Sequence, residues 1–217
     1  MIAQSASRPI ASSLPLDNCN GIAHRYAPRW AYDVRPDEGE EETLMHDVTT
    51  SRWPAELYKV LKDSGVRQMS YVPDAGHSAL IQMFHADPAV TCNVLTTEEE
   101  GVAIAAGAWL GGERSVLLMQ SSGVGNCINM LSLPVMMRAP LLMLVTMRGE
   151  WGEFNPWQVP MSRATEASLN AVGVRTVRVT SADEATDVVA ASAVEAYEAD
   201  QQMAVLLSQR LIGRKKW

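Results

Sequence analysis

Six short apolar runs, at residues 68–72, 91–95, 115–120, 141–146, 174–179 and 203–208, are separated by segments long enough to form helices. No other feature of the chain constrains its fold as strongly. Strands joined by helical crossovers run parallel, and a parallel sheet must be covered on both faces. The runs VLLM (116–119) and LLMLV (141–145) are continuous rather than alternating, as strands buried from both sides are. The expected fold is α/β: a doubly wound six-stranded parallel sheet with helices on both faces. Helix signals agree. Trp53, Leu57, Val60 and Leu61 share one helical face and Gly65 follows them. Gly111-Gly112 ends the segment after the second run, and Ser181 with Glu184 makes a capping box. There is no internal repeat.

Composition bounds what such a domain can do. With 47% apolar residues in 217, the chain can bury one substantial core. Its formal charge of −7 argues against nucleic acid or an anionic membrane as partner, and an anionic substrate would need a local cationic pocket. Cys19, Cys92 and Cys127 are odd in number and lack metal-ligand spacing, so no disulfide framework or zinc site is expected. Three reduced thiols fit a cytoplasmic location. Neither a signal peptide nor a transmembrane run is expected.

Residues 1–50 carry scattered Pro, Ser and Asn, the acidic run Asp37-Glu38-Gly39-Glu40-Glu41-Glu42 and no sustained apolar period. They are expected to form an irregular extension, in solvent or packed on a neighbouring subunit through Tyr26, Trp30 and Tyr32, with the domain proper over 51–217.

In doubly wound sheets ligands bind beyond the carboxyl ends of the strands. The loops there begin Pro73-Asp74-Ala75-Gly76-His77, Thr96-Thr97-Glu98-Glu99-Glu100, Ser121-Ser122-Gly123-Val124-Gly125-Asn126 and Met147-Arg148-Gly149-Glu150-Trp151-Gly152. The acidic triplet has a structural reading, since Thr97 and Glu100 match a capping box and first-turn carboxylates suit the helix dipole. It also has a functional one: the small residues of Gly101 to Ala108 let a helix approach a flat ligand, and a carboxylate at its head meets a ring nitrogen. Gly123 and Gly125 read either as a tight turn or as an anion cradle, without the ending of a nucleotide-binding loop. The methionines between Met130 and Met147 read as core.

The succession YVPDAGHSALI, LTTEEEGVAIAAGAWLGG, VLLMQSSGVGNCINMLSL and LLMLVTMRGEWGE resembles the pyrimidine-binding domain of thiamine-diphosphate enzymes, closest to the sulfopyruvate and phosphonopyruvate decarboxylases. The resemblance covers residues 52–208 and implies a decarboxylase of small anionic 2-oxoacids. In that family one glutamate hydrogen-bonds the pyrimidine N1′ and favours the tautomer that deprotonates the thiazolium C2. Counting nine positions back from Gly107 gives Glu98, with Glu99 as runner-up. Gln120, Gly123, Gly125 and Asn126 would line the cofactor and substrate. Asp74 and His77 are candidates for proton transfer or for fastening their loop, and Arg148 for gripping the substrate's second anion. No Gly-Asp-Gly occurs in the chain. The diphosphate and its Mg²⁺ are therefore expected on a separately encoded β subunit, in a hetero-oligomer. Carboligation of the same intermediate, or a non-catalytic scaffold, are the alternatives.

Overall fold

Helix α1 (Trp53–Asp63) starts with a proline at its second position, which costs no hydrogen bond there, and stops where Gly65 takes φ +82. It is the first element of the computed structural model, which describes residues 52–213. The expected extension over 1–50, with Cys19, lies outside the described residues. There follow β1 (Val66–Tyr71), a 3-10 turn (Ala75–His77), α2 (Ser78–His85), β2 (Thr91–Val94), α3 (Glu98–Leu110), β3 (Arg114–Gln120), α4 (Ser121–Cys127) and α5 (Ser132–Met137). Then come β4 (Leu141–Thr146), α6 (Gln158–Ala171), β5 (Arg175–Val179), α7 (Ala182–Ala199), β6 (Gln202–Leu207) and α8 (Gln209–Ile212).

All five strand pairings are parallel, in the order β2-β1-β3-β4-β6-β5. The chain steps outward from β1 to β2 and returns to the other side of β1 as β3, so a topological switch point lies between β1 and β3. Alternation along the strands sorts the core into two layers. Val116, Leu118, Leu142, Leu144 and Val205 face α1, α2 and α7. Leu117, Met119, Met143, Val145 and Leu206 face α3, α4 and α6. The doubly wound expectation is therefore met.

Local expectations fare unevenly. The capping box of Ser181 and Glu184 forms at α7. At α3 the box does not form from Thr97. Glu100 instead accepts from the N–H of Thr96 at 2.9 Å and from its hydroxyl at 2.9 Å, one residue earlier. Gly123 and Gly125, read as a tight turn or an anion cradle, lie inside helix α4, with no positive φ at either. Of the methionines read as core, Met143 and Met147 are buried but Met136 and Met137 are exposed, because α5 is a short surface helix between two strands. Among the described residues no helix is long and apolar enough to cross a membrane.

Candidate active site

Glu98 opens α3, and the phase of that helix decides which of the three glutamates points inward. Residues 98, 102 and 105 fall on one face, and Val102 and Ala105 are core. Glu98 is accordingly buried at 8% exposure, while Glu99 and Glu100 are exposed. Its carboxylate lies directly on α4: a Cβ at Gly123 would overlap Glu98 Oε1, Cδ and Cγ. Gly123 is therefore required for contact rather than for a turn. One helical turn on, the Asn126 amide donates to Glu98 Oε2 at 2.9 Å, leaving Oε1 with no hydrogen bond from the described residues. Gly125 brings α4 close to α6, since a Cβ there would meet Met161 Sδ at 3.0 Å.

Beside this pair opens a groove of about 630 Å³, lined by Ser122, Asn126, Pro156, Trp157, Pro160 and Met161. A buried carboxylate with one uncommitted oxygen, next to an open and mostly apolar groove, suits a flat heterocycle that donates a hydrogen bond. The residues present thus fit an aminopyrimidine ring.

The other expected residues gather elsewhere on the same edge. Gln120 and Thr146 are register partners on β3 and β4, on the side of the sheet covered by α1, α2 and α7. There the Thr146 hydroxyl donates to Asp74 Oδ2 at 2.6 Å, and Gly76 allows it, because a Cβ would come within 2.9 Å of Thr146 Cγ2. His77 is fully enclosed, with Nε2 3.0 Å from the Leu144 carbonyl, an arrangement that fastens its loop to β4. Burial lowers the His77 pKa against the opposing pull of Asp74 and of the Leu144 and Met119 carbonyls, so the ring is held neutral. With Nε2–H donating to Leu144, Nδ1 is an acceptor. It, Asp74 Oδ1 and Gln120 Oε1 are buried without partners among the described residues. Glu98, Gly123 and Asn126 are thus assembled on one side of the sheet's carboxyl edge, and Asp74, His77 and Thr146 on the other, with Gln120 on the side of the second group.

Arg148, buried at 5% exposure, is not a free cation. Its Nε and a terminal nitrogen donate to Glu153 Oε2 and Oε1 at 2.9 and 3.0 Å. Cys127, against Gly123, has its thiol pushed up to about 12 by burial and the nearby Glu98 and Glu99, which makes it inert. Among the described residues no cluster of His, Cys, Asp or Glu is placed to hold a metal ion.

The chain is 32% identical over 152 residues to sulfopyruvate decarboxylase subunit alpha of Methanococcus maripaludis, covering 70% of itself and 91% of that protein. It belongs to that α-subunit family. The subunit of the same name from Methanothermobacter thermautotrophicus is 43% identical over 110 residues, covering 50% of this chain and 67% of that one. No protein-family model matches the chain. Among solved structures, a putative thiamin diphosphate-dependent enzyme from Mycobacterium smegmatis superposes with a TM-score of 0.57 at 14% identity, over 72% of this chain and 30% of that one. That likeness is one of fold.

Of the site, sequence reasoning missed Glu153, Gln209 and the groove wall of Trp157 and Met161. Glu153 and Gln209 are 56 residues apart and meet only through the fold, so no spacing signals them. Trp157 was noticeable as one of six tryptophans, in a segment richer in aromatics than its surroundings.

Proposed function

We propose that this chain is the subunit of a thiamine-diphosphate-dependent 2-oxoacid decarboxylase that supplies the carboxylate for the cofactor's pyrimidine ring. Residues 51–217 form the pyrimidine-binding domain, and 1–50 are an extension to it. The substrate is of the 3-sulfopyruvate or 3-phosphonopyruvate type. The family membership supports the reaction class. The observation that carries the site is Glu98 itself, a buried carboxylate seated on Gly123, oriented by Asn126 through one oxygen, with no hydrogen bond to the other from the described residues.

When bound, thiamine diphosphate supplies the carbon nucleophile and the electron sink for loss of carbon dioxide. This chain binds and orients. The Glu98 carboxylate would hold the ring by accepting a hydrogen bond from its nitrogen, a bond that shielding from water strengthens. The Asn126 amide fixes the plane of the carboxylate. Met161 and the neighbouring prolines give the ring apolar contact and exclude water. Gln120 offers an amide to the substrate from the opposite side of the sheet edge. The diphosphate and Mg²⁺ belong to a separately encoded β subunit of a cytoplasmic hetero-oligomer.

The test is capture of the partner from the native source, then assay of carbon dioxide release from 3-sulfopyruvate and 3-phosphonopyruvate with thiamine diphosphate and Mg²⁺. Turnover should require both chains. Glu98→Gln, nearly isosteric, should lower it roughly 10²- to 10⁴-fold with the fold intact. Full activity in that variant would remove Glu98 from the mechanism and leave a binding or scaffolding role.

A further inference from the structure

The β4–α6 connection, residues 147–157, forms one wall of the groove, and it is organised around a single buried carboxylate. Five donors converge on Glu153. Oε2 accepts from Arg148 Nε at 2.9 Å, Gln209 Nε2 at 3.1 Å and the Gly149 N–H at 3.4 Å. Oε1 accepts from Arg148 at 3.0 Å and the Asn155 N–H at 3.1 Å. Gln209, itself 1% exposed, returns its amide oxygen to the N–H groups of Glu150 and Trp151, both at 2.9 Å. The two ends of the loop meet. Gly149, at φ +76, packs so tightly on the start of α6 that a Cβ would come 2.8 Å from Val159 Cα. Arg148 N–H also donates to the Ser121 hydroxyl at 3.1 Å, which ties the loop to α4 beside Gly123 and Asn126.

Outward from this polar centre the same loop presents Trp157 at 83% exposure and Pro156 to the groove. A closed loop with few apolar anchors would ordinarily fluctuate, and here hydrogen bonds to one carboxylate replace them. We propose that Glu153 is a positioning residue: it holds Arg148, Gly149, Asn155 and Gln209 together and thereby fixes the Pro156–Trp157 wall against Asn126 and Glu98. Arg148 is then a strut of the wall rather than the grip for the substrate's second anion. The proposal rests on the reading of the groove as the cofactor and substrate site.

The loop and the reaction are tested separately. Hydrogen exchange is measured on the full chain alone, wild type against Glu153→Gln, which turns an acceptor oxygen into a donor facing Arg148. A second variant, Arg148→Met with Glu153→Met, guards against unfolding by leaving no buried unpaired charge. In both, exchange at 147–158 should rise at least about tenfold while β4 and β6 stay protected. In the two-subunit complex, kcat/KM should fall roughly 10- to 100-fold, with the change in KM, since a wall contacts ground and transition states alike. Unchanged exchange at 147–158, or a rise spread over the whole domain, overturns the proposal. So does loosened exchange with unaltered KM. A wild-type complex without decarboxylase activity sinks the functional reading instead, and the exchange result still decides whether Glu153 holds the wall.

Discussion

At Gly123 a single hydrogen atom in place of a methyl decides whether the Glu98 carboxylate reaches its position. Alanine there would overlap Oε1, Cδ and Cγ of Glu98, so that side chain must leave its place, while no backbone atom is among the nearest contacts. The cost is that of moving one side chain and not the backbone. Replacing a helix glycine by alanine even gains up to about 1 kcal/mol of helix propensity. The displaced carboxylate, however, loses the Asn126 bond and its place against α4. Gly123→Ala should keep the thermal midpoint and lower turnover of the assembled enzyme roughly 100-fold. A variant with normal turnover would show that the carboxylate need not sit where it does. Which of three adjacent glutamates is buried follows from the phase of α3, since position 98 precedes Val102 by four and Ala105 by seven, whereas counting back from Gly107 left Glu99 as runner-up. The engagement of Arg148 was not legible. Its carboxylate partner is five residues away in a loop without periodicity, and the glutamine that completes the set lies beyond two further strands.

Helices and strands were the most readable scale, since continuous apolar runs and helix-length spacers can be satisfied together only by a covered parallel sheet. The strand order, and with it the separation of Asp74 and His77 from Glu98, needed the structure. Sequence places all four loops on one edge, but which side of the sheet each side chain takes depends on register and on where each crossover lies. The glycine-rich segment after β3 misled for a related reason: glycine permits close packing as readily as it permits a turn, and here α4 needs it to approach Glu98 and α6. The same logic governs α3. Gly101 lets that helix lie flush on β3, and a Cβ would overlap Leu117 Cδ1 and approach Leu95 Cδ1 to 2.8 Å. Both leucines are buried core side chains with little room to shift. Gly101→Ala should destabilise by about 1–3 kcal/mol through overpacking. That corresponds to roughly 2–12 °C in melting temperature for a domain of this size. An unshifted melting curve would mean that α3 does not pack as tightly as its glycine implies.

For the domain as a whole, the buried imidazole of His77 predicts how stability responds to acid. Its pKa in the folded protein lies below the ordinary value, chiefly because burial disfavours the cation, while Asp74 and two backbone carbonyls only partly oppose this. The unfolded chain, with an ordinary imidazole near 6.5, therefore binds a proton that the folded chain does not. The stabilisation is present above that value and declines as pH falls from about 6.5 toward the folded pKa, by at most about 1.4 kcal/mol per pH unit for one group. Most carboxylates titrate below this window, so between about pH 5 and 6.5 the slope reports histidine. Glutamine is the informative replacement, because its amide can still donate to the Leu144 carbonyl, as Nε2 does, yet carries no titrating proton. Urea midpoints measured at pH 5.5 and 7.5 should differ clearly in the wild type and much less in His77→Gln. Equal pH dependence in the two proteins would mean that His77 is protonated inside the fold and paired with Asp74, which would make the loop after β1 a charged site rather than a neutral fastening.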